Sequence, residues 1–311
     1  MRVIFFGTPQ FSVPILEALN QNEQVVLVVT QPDTYDRKKK TMRFSPVKEK
    51  AIELGLEVFQ PERVKSGVTD ILQYKPDIII TAAYGQILPN ALLDTPPFKA
   101  VNVHASLLPK LRGGAPIQRS IERMHSTTGV TIMHMVARMD AGPIIAQSEI
   151  PIEANETSET LFDKLSQLGK TLLMTTLPKI KSQSINPTPQ NAQEATYAYA
   201  LKREEERLDF NLTAQQLDAK IRAFYPSPNT YTQIKGNTIK VTKASYSITP
   251  YDGKLLPGTI VNIDSQAIYV QTKFGLLLIK MIQLPGKKPM PIQAFMHGKG
   301  KTMIQVMDQF N

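Results

Sequence analysis

The chain has 311 residues, of which 42% are hydrophobic and 20% are charged. This length and composition are typical of a globular protein of about two domains, and they exclude disorder or a coiled coil as the main architecture. The chain has no cysteine, which excludes disulfides, cysteine-ligated metal centres and a thiol nucleophile. The formal net charge is +9, and residues 201–311 carry +7 of it. This basic final third favours a polyanionic partner, with plain solubility as the alternative.

The apolar runs of the sequence are short. Val25–Val29 is a strongly apolar run of strand length, whereas a membrane span needs about 18 residues, so we expect no membrane partner. The start of the chain lacks the long apolar stretch and cleavage site of a signal peptide. We therefore expect a cytoplasmic protein, with a monomer as the default.

Residues 1–150 alternate short apolar runs with amphipathic stretches. The predicted strands are 3–6, 25–30, 77–82 and 101–104. Ser45-Pro46 begins a predicted helix that ends near Leu54. Strands that alternate with helices predict an α/β domain with a parallel sheet. Two further strands, 128–136 and 143–150, are predicted on either side of a turn, and a long leucine-rich helix follows them.

Residues 182–195 break this rhythm, because they contain two prolines and many Asn, Gln, Ser and Thr. We interpret residues 184–205 as a linker between a first domain, 1–183, and a second domain, 206–311. After a short helix at Thr213–Phe224, the second domain consists of short apolar runs separated by turn signals. Strands at this spacing predict a small barrel or sandwich.

Polar residues follow several predicted strands, at the edge where open α/β sheets bind ligands. Gly7 lacks the further glycines of a dinucleotide-binding fingerprint, which disfavours NAD and FAD. Asn102 and His104 lie two residues apart on one strand, so they share a face. An amide and an imidazole on one face can stabilise a developing oxyanion. The alternative for His104 is a buried histidine that hydrogen-bonds to backbone.

Asp140 lies in the turn that follows strand 128–136. A carboxylate close to His104 would favour the charged imidazole and could accept a proton from a nucleophile. The alternative is an aspartate that only forms the turn. Ser106 lies in the same loop as His104, without a G-x-S-x-G elbow, which disfavours a serine nucleophile.

Two strings of residues resemble the folate-dependent formyltransferases. The first is Val101–Pro109 with its continuation Arg112–Ile117, and the second is Thr128–Thr131 with Met139–Gly142. The resemblance implies a Rossmann-like formyltransferase domain, 10-formyltetrahydrofolate as co-substrate and no metal. It implies that the catalytic residues are Asn102, His104 and Asp140. It implies that the residues next to the folate are Ser106, Leu107, Leu108, Pro109, Gln86, Ile87 and Leu88.

The resemblance covers nearly the whole chain for the members of the family that formylate methionyl initiator tRNA. Phe6–Pro9 and Gln31–Asp33 resemble segments of their first domain, and Pro257–Ile260 resembles part of their OB-like C-terminal β-barrel. This implies formyl transfer to the α-amino group of methionine on initiator tRNA, for translation initiation. A basic segment resembles the loop by which the family reaches the tRNA acceptor end, and its residues are Arg37, Lys38, Lys39, Lys40 and Arg43. The alternative for this segment is a solvated basic loop.

Two other functions remain open from the sequence. One is formyl transfer to a sugar nucleotide or another small amine, which the basic C-terminal third disfavours. The other is a non-catalytic tRNA-binding protein on the same fold, which the intact set of Asn102, His104 and Asp140 disfavours.

Overall fold

The computed structural model describes residues 1–36, 40–249 and 255–311, so Arg37, Lys38 and Lys39 lie outside the described residues. The chain folds into two compact units. The first unit comprises 1–116, 127–151 and 162–200, and the second comprises 117–126, 152–161 and 201–311. The units therefore interleave along the chain, and the domain boundaries at residues 183 and 205 stay predictions.

A seven-stranded sheet forms the centre of the first unit. Its strands are β1 (Arg2–Gly7), β2 (Gln24–Val29), β5 (Val58–Phe59), β6 (Ile78–Ala82), β7 (Ala100–His104), β8 (Thr127–His134) and β9 (Ile144–Pro151). Their order is β5-β2-β1-β6-β7-β8-β9. The first five strands are parallel, and β8 and β9 join as an antiparallel hairpin. The strand order reverses between β1 and β6, which is where sheets of this kind open a ligand crevice.

A separate two-stranded hairpin, which the sequence pattern does not predict, is formed by β3 (Thr34–Asp36) and β4 (Thr41–Arg43). The helices of the first 181 residues are α1 (Val13–Asn22), α2 (Pro46–Glu53), α3 (Val68–Leu72), α4 (Asn90–Asp94), α5 (Pro116–Glu122) and α6 (Ser158–Lys181). The predicted start of α2 is confirmed, because the Ser45 hydroxyl caps the helix by accepting from the Lys48 amide at 3.0 Å. The leucine spacing of α6 is also confirmed, since Leu161 and Leu165 are buried.

The second unit contains an antiparallel sheet. Its strands are β10 (Thr230–Ile234), β11 (Asn237–Ser247), β12 (Ile260–Ile263), β13 (Ile268–Gln271), β14 (Leu276–Gln283) and β15 (Met290–Pro291), in the order β10-β11-β14-β13-β12 with β15 beside β14. Its helices are α7 (Ala214–Phe224), α8 (Ile292–Phe295) and α9 (Lys301–Met303). Thr213 begins α7 with a capping box to Gln216, which explains why the sequence predicts this helix accurately.

The last residues of the chain join the two edges of this sheet. The Phe310 amide donates to Gly258 O at 2.9 Å beside β12, and the Asn311 amide donates to Gln233 O on β10 at 2.9 Å. Backbone hydrogen bonds thus reach both edges of the sheet, as in a small barrel. The predicted α/β domain followed by a small β-domain is confirmed. Among the described residues, no helix is both long and apolar enough to cross a bilayer.

The second unit has an apolar core of its own, in which Leu277 is 0% exposed. Replacing Leu277 by alanine removes buried apolar surface and leaves a cavity. We expect Leu277→Ala to lower the free energy of unfolding by about 2–5 kcal/mol, measured by urea unfolding with circular dichroism. The matched control is Leu256→Ala, because Leu256 is 67% exposed and its loss changes the free energy by about 0.5 kcal/mol or less. A Leu277→Ala effect no larger than the control would contradict this packing.

Candidate active site

The predicted pair on β7 lies one strand from the switch in strand order. Asn102 is opposite Thr81 of β6 and opposite Met133 of β8 in the strand registers. The Thr81 hydroxyl donates to Asn102 Oδ1 at 2.7 Å. Because this contact occupies the oxygen end of the amide, the Nδ2 hydrogens are its donors for a ligand. The sequence pattern does not single out Thr81. Its position near the end of a predicted strand, where ligand-binding residues collect, is the feature that could have pointed to it.

His104 is buried, and its ring has one fixed hydrogen bond. Its Nε2 atom lies 3.0 Å from the backbone oxygen of Leu111. A carbonyl oxygen can only accept, so Nε2 carries a hydrogen and donates it. In the neutral ring Nδ1 then has a lone pair, which makes Nδ1 the nitrogen that gains and loses a proton. Leu111 contributes only its backbone, so nothing in its side chain could have predicted this role.

Asp140 lies on the Nδ1 side of His104. Its Oδ1 atom is 3.7 Å from His104 Nδ1, which is longer than a hydrogen bond. Its Oδ2 atom accepts a hydrogen bond from the Gly113 amide at 2.8 Å. The structure therefore brings the three predicted catalytic residues to one place. It leaves between Asp140 and His104 a gap that a shared proton donor could bridge.

Two glycines allow close backbone packing next to the Gly113–Asp140 contact. Gly113 has a φ of +117°, and a Cβ atom there would lie 2.8 Å from the oxygen of Ala198. A Cβ atom on Gly142 would lie 1.8 Å from the oxygen of His134, so this turn packs directly on β8. Both positions exclude larger residues, which gives a physical reason for the glycines in the two formyltransferase-like strings.

Several polar groups of the first predicted folate segment, residues 106–109, already form hydrogen bonds within the protein. The buried Ser106 hydroxyl donates to Lys110 O at 2.7 Å. The Leu108 amide donates to the Thr131 hydroxyl at 3.1 Å, and Leu108 O accepts from the Gln147 side chain at 2.9 Å. Leu107 and Pro109 are the partly exposed members of the segment. Contact between these four residues and a folate stays a prediction, with Leu107 and Pro109 the most accessible.

The second predicted folate segment consists of Gln86, Ile87 and Leu88, and these three residues have different surroundings. Gln86 accepts a hydrogen bond from the Val64 amide at 2.9 Å and donates to Gln31 at 3.2 Å, so it holds the loop in shape. Leu88 is buried in the core of the first unit. Ile87 is 72% exposed and offers apolar surface to a ligand. The folate-binding role of all three stays a prediction.

The predicted tRNA segment overlaps the β3–β4 hairpin. Lys40 and Arg43 are exposed there, beside the exposed side chains of Tyr35 and Met42, which face each other across the two strands. Arg37, Lys38 and Lys39 belong to the undescribed residues 37–39. The tRNA-binding role of this segment stays a prediction. No group of three or more His, Asp or Glu side chains within the described ranges is arranged to hold a metal ion.

Comparison with known proteins identifies the family. The formyl transferase model matches residues 1–177, and the formyl transferase C-terminal domain model matches residues 200–300. The methionyl-tRNA formyltransferase of Latilactobacillus sakei is 45% identical over 97% of this chain and 95% of its own length. The chain belongs to the formyltransferase family. A second such relative, from Bacillus subtilis, is 44% identical over 96% of this chain and 94% of its own length.

Solved structures of other proteins share the fold. HypX from Aquifex aeolicus, in complex with tetrahydrofolic acid, aligns with a TM-score of 0.66 at 18% identity and covers 99% of this chain. The alignment covers 50% of the HypX chain, so this chain spans about half the length of HypX. The sugar 3N-formyl transferase WlaRD aligns with a TM-score of 0.64 at 17% identity, over 93% of this chain and 99% of its own. At these identities the likeness establishes the fold alone.

Tyr84 follows β6 and anchors the loop of the second folate segment. Its backbone oxygen accepts from the Thr8 hydroxyl at 3.1 Å and from the Gln31 side chain at 3.0 Å. Its ring packs edge-on against Phe6 at 5.0 Å in the core. Its buried hydroxyl has no hydrogen-bond partner in the described part of the chain, and burial raises the pKa of Tyr84 to about 12.

This raised pKa makes the folded state sensitive to base. Above about pH 10 the unfolded chain releases the Tyr84 proton while the folded chain keeps it, so the unfolded state gains stability. We expect the free energy of unfolding of the wild type to fall, relative to Tyr84→Phe, by about 1.4 kcal/mol per pH unit between pH 10 and 12. Urea unfolding of both proteins at pH 8, 10 and 11 measures this difference. Parallel pH profiles for the two proteins would contradict the burial of this hydroxyl.

Proposed function

We propose that the protein transfers a formyl group from 10-formyltetrahydrofolate to the α-amino group of methionine esterified to initiator tRNA. The observation that carries this proposal is the convergence of Asn102, His104 and Asp140 at one end of β7. Its support is the curated relatives at 41–45% identity over nearly the whole chain, which are methionyl-tRNA formyltransferases. The reaction needs no metal and no covalent enzyme intermediate.

The chemistry requires an oxyanion stabiliser, a proton acceptor and a proton donor. The neutral amine attacks the formyl carbon, and the formyl oxygen gains negative charge in the tetrahedral intermediate. Asn102 Nδ2 donates one hydrogen bond to that oxygen, and protonated His104 Nδ1 donates a second. These donors act where charge develops, and so they favour the transition state over the substrates.

Asp140 and His104 together can carry out both proton transfers that the reaction needs. The carbon–nitrogen bond to methionine forms, and the amine loses a proton to the Asp140 carboxylate, directly or through one water. The bond from the formyl carbon to the folate nitrogen breaks, and His104 Nδ1 gives its proton to that nitrogen. Asp140 then returns a proton to His104 Nδ1 through a water that bridges their separation of 3.7 Å, which restores the starting state. Nε2 keeps its hydrogen bond to Leu111 throughout.

Charge supports a nucleic-acid acceptor rather than a small amine. Residues 201–311 carry +7 of the net charge of +9, and a basic surface attracts the phosphates of tRNA. A sugar nucleotide carries only two phosphates, so binding it does not require a basic domain of this size. A cytoplasmic monomer, as the sequence predicts, is the simplest setting for this reaction.

The oxyanion role of Asn102 gives a direct test. We expect Asn102→Ala to lower kcat for formylation of methionyl initiator tRNA by about 10²–10³-fold, because it removes one oxyanion donor, while tRNA binding is kept. Formyl-methionine on tRNA is the measured product, with elongator methionyl-tRNA as a parallel acceptor. The control is Asn186→Ala, because Asn186 is an exposed asparagine distant from Asn102 in the sequence, and we expect this variant to keep the wild-type kcat.

Several outcomes would contradict the proposal. Normal turnover by Asn102→Ala would remove Asn102 from the site. A wild-type protein that binds tRNA without transfer would favour the non-catalytic alternative. A wild type that formylates an amino sugar nucleotide and ignores tRNA would favour the small-amine alternative.

The basic segment gives a separate test. We expect Lys39→Ala/Lys40→Ala to weaken initiator tRNA binding and to flatten the slope of log K against log salt by about 0.7–0.9 for each phosphate that the segment no longer neutralises. Filter binding at several salt concentrations measures the slope. Lys179→Ala/Lys181→Ala makes the same charge change on exposed lysines of α6, and we expect it to leave the slope unchanged. Equal slopes for the two double variants would contradict a tRNA contact at residues 39–40.

A further inference from the structure

We propose that Gln190 is a positioning residue for Asp140, which it holds by fastening the Asp140–Gly142 turn to the buried Arg112. The inference rests on the proposed formyl transfer and adds a residue from the stretch that the sequence presents as a linker. Gln190 has no place in the chemistry itself, because its amide contacts backbone and Arg112 rather than the reacting groups.

Both the oxygen and the nitrogen of the Gln190 side-chain amide form hydrogen bonds. Arg112 Nε and Nη2 donate to Gln190 Oε1 at 3.1 and 2.7 Å. Gln190 Nε2 donates to Asp140 O at 2.8 Å and to Gly142 O at 2.8 Å. A primary amide offers one oxygen with two lone pairs and two N–H groups, so these four contacts exhaust its capacity.

The partners fix the direction of this amide. A guanidinium can only donate and a backbone carbonyl can only accept, so exchanging the oxygen and nitrogen of Gln190 would break all four contacts. A glutamate at position 190 would satisfy Arg112, but it would place a carboxylate oxygen against the carbonyls of Asp140 and Gly142. A lysine or arginine would satisfy those carbonyls and repel Arg112. Glutamine supplies both the acceptor that Arg112 needs and the donors that the two carbonyls need.

Asp140 needs external support of this kind. Its φ of +49° lies in the left-handed region, which residues other than glycine adopt at a cost. Its carboxylate must also stay placed between the Gly113 amide at 2.8 Å and His104 Nδ1 at 3.7 Å. Gln190 hydrogen-bonds to the backbone oxygen of Asp140 itself and to that of Gly142 two residues later, so it clamps both ends of the strained turn.

The same chain segment also supports the facing loop. Thr188 exchanges two backbone hydrogen bonds with Ile144, both at 2.8 Å, just after the Asp140 turn. Further along, the Arg112 amide donates to Thr196 O at 2.9 Å and the Ala198 amide donates to Arg112 O at 2.7 Å. Residues 188–198 thus hold both loops that meet at the Gly113–Asp140 contact, and Gln190 is a side chain that hydrogen-bonds to Asp140 itself and to Arg112.

Misplacement of a proton-transfer group by about 1 Å can cost about 10²-fold in rate without weakening substrate binding. We therefore expect Gln190→Ala and Gln190→Glu each to lower kcat by about 10–100-fold, with KM for both methionyl-tRNA and 10-formyltetrahydrofolate within about twofold of wild type. Gln193→Ala is the matched control, because Gln193 is an exposed glutamine in the same segment. We expect this control to keep the wild-type kcat.

Gln190→Glu separates positioning from folding. Its carboxylate keeps the contact to Arg112 but loses both hydrogen bonds to the turn carbonyls, so we expect a folded protein with a higher Tm than Gln190→Ala together with the lowered kcat. Steady-state kinetics, thermal unfolding and hydrogen exchange of residues 138–143 are measured on the full chain of all four proteins. Faster exchange of that peptide in both Gln190 variants, with unchanged exchange in the control, supports the clamp.

The experiment distinguishes a failure of the proposed function from a failure of the Gln190 inference. A wild type that transfers no formyl group overturns the proposed function and this inference together. An active wild type with Gln190→Glu at wild-type kcat overturns the inference alone. An effect confined to KM, or one equal to that of Gln193→Ala, also overturns it. If Gln190→Ala does not fold, Gln190→Glu decides the matter by itself.

Discussion

The hydrogen bond from the Gly113 amide to Asp140 Oδ2 is the contact on which the rest of the site depends. It joins the loop after β7, which contacts His104, to the turn after β8, which carries the carboxylate. Each side of this contact also needs a glycine, because a Cβ atom on Gly113 would collide with the backbone oxygen of Ala198 and one on Gly142 with that of His134. The local shape of the chain thus sets the separation of carboxylate and imidazole before any substrate binds. Such preorganisation is what lets a site stabilise a transition state without moving when the charge develops.

The groups that directly orient the three predicted catalytic residues are neutral. They are a hydroxyl on Asn102, a backbone carbonyl on His104 and a backbone amide on Asp140. A charged partner in this buried place would compete with the charge that develops on the formyl oxygen. Neutral partners fix orientation and tautomer and leave the imidazole and the carboxylate as the groups that exchange protons. Arg112 is 2% exposed, and it acts on Asp140 through the amide of Gln190 rather than by direct contact.

The parts of the site that depend on local pattern are predictable from the sequence. The alternation on β7 predicts Asn102 and His104 on one face, and the turn signals predict Asp140 between two strands; the structure confirms β7, β8 and β9 as strands. The role of residues 188–198 is not predictable in this way, because their contacts combine backbone atoms with scattered side chains such as Gln190 and Thr196 in a polar, proline-containing stretch. Local pattern also gives no reason to expect a buried Arg112, since arginine is mostly exposed and its burial here depends on a partner 78 residues away.

The interleaving of the two units is likewise not visible in the local sequence pattern. Segment 117–126 clusters with the second unit, where buried Arg119 donates to both carboxylate oxygens of Glu205 at 2.8 and 2.9 Å. The Arg119 contact lowers the pKa of Glu205 and keeps that carboxylate ionised. Composition cannot reveal such a pair, because the two residues lie 86 positions apart. This long-range polar contact ties segment 117–126 to the second unit in a way that apolar periodicity does not show. The polar stretch between two predicted domains is therefore a place to look for residues that position a catalytic group.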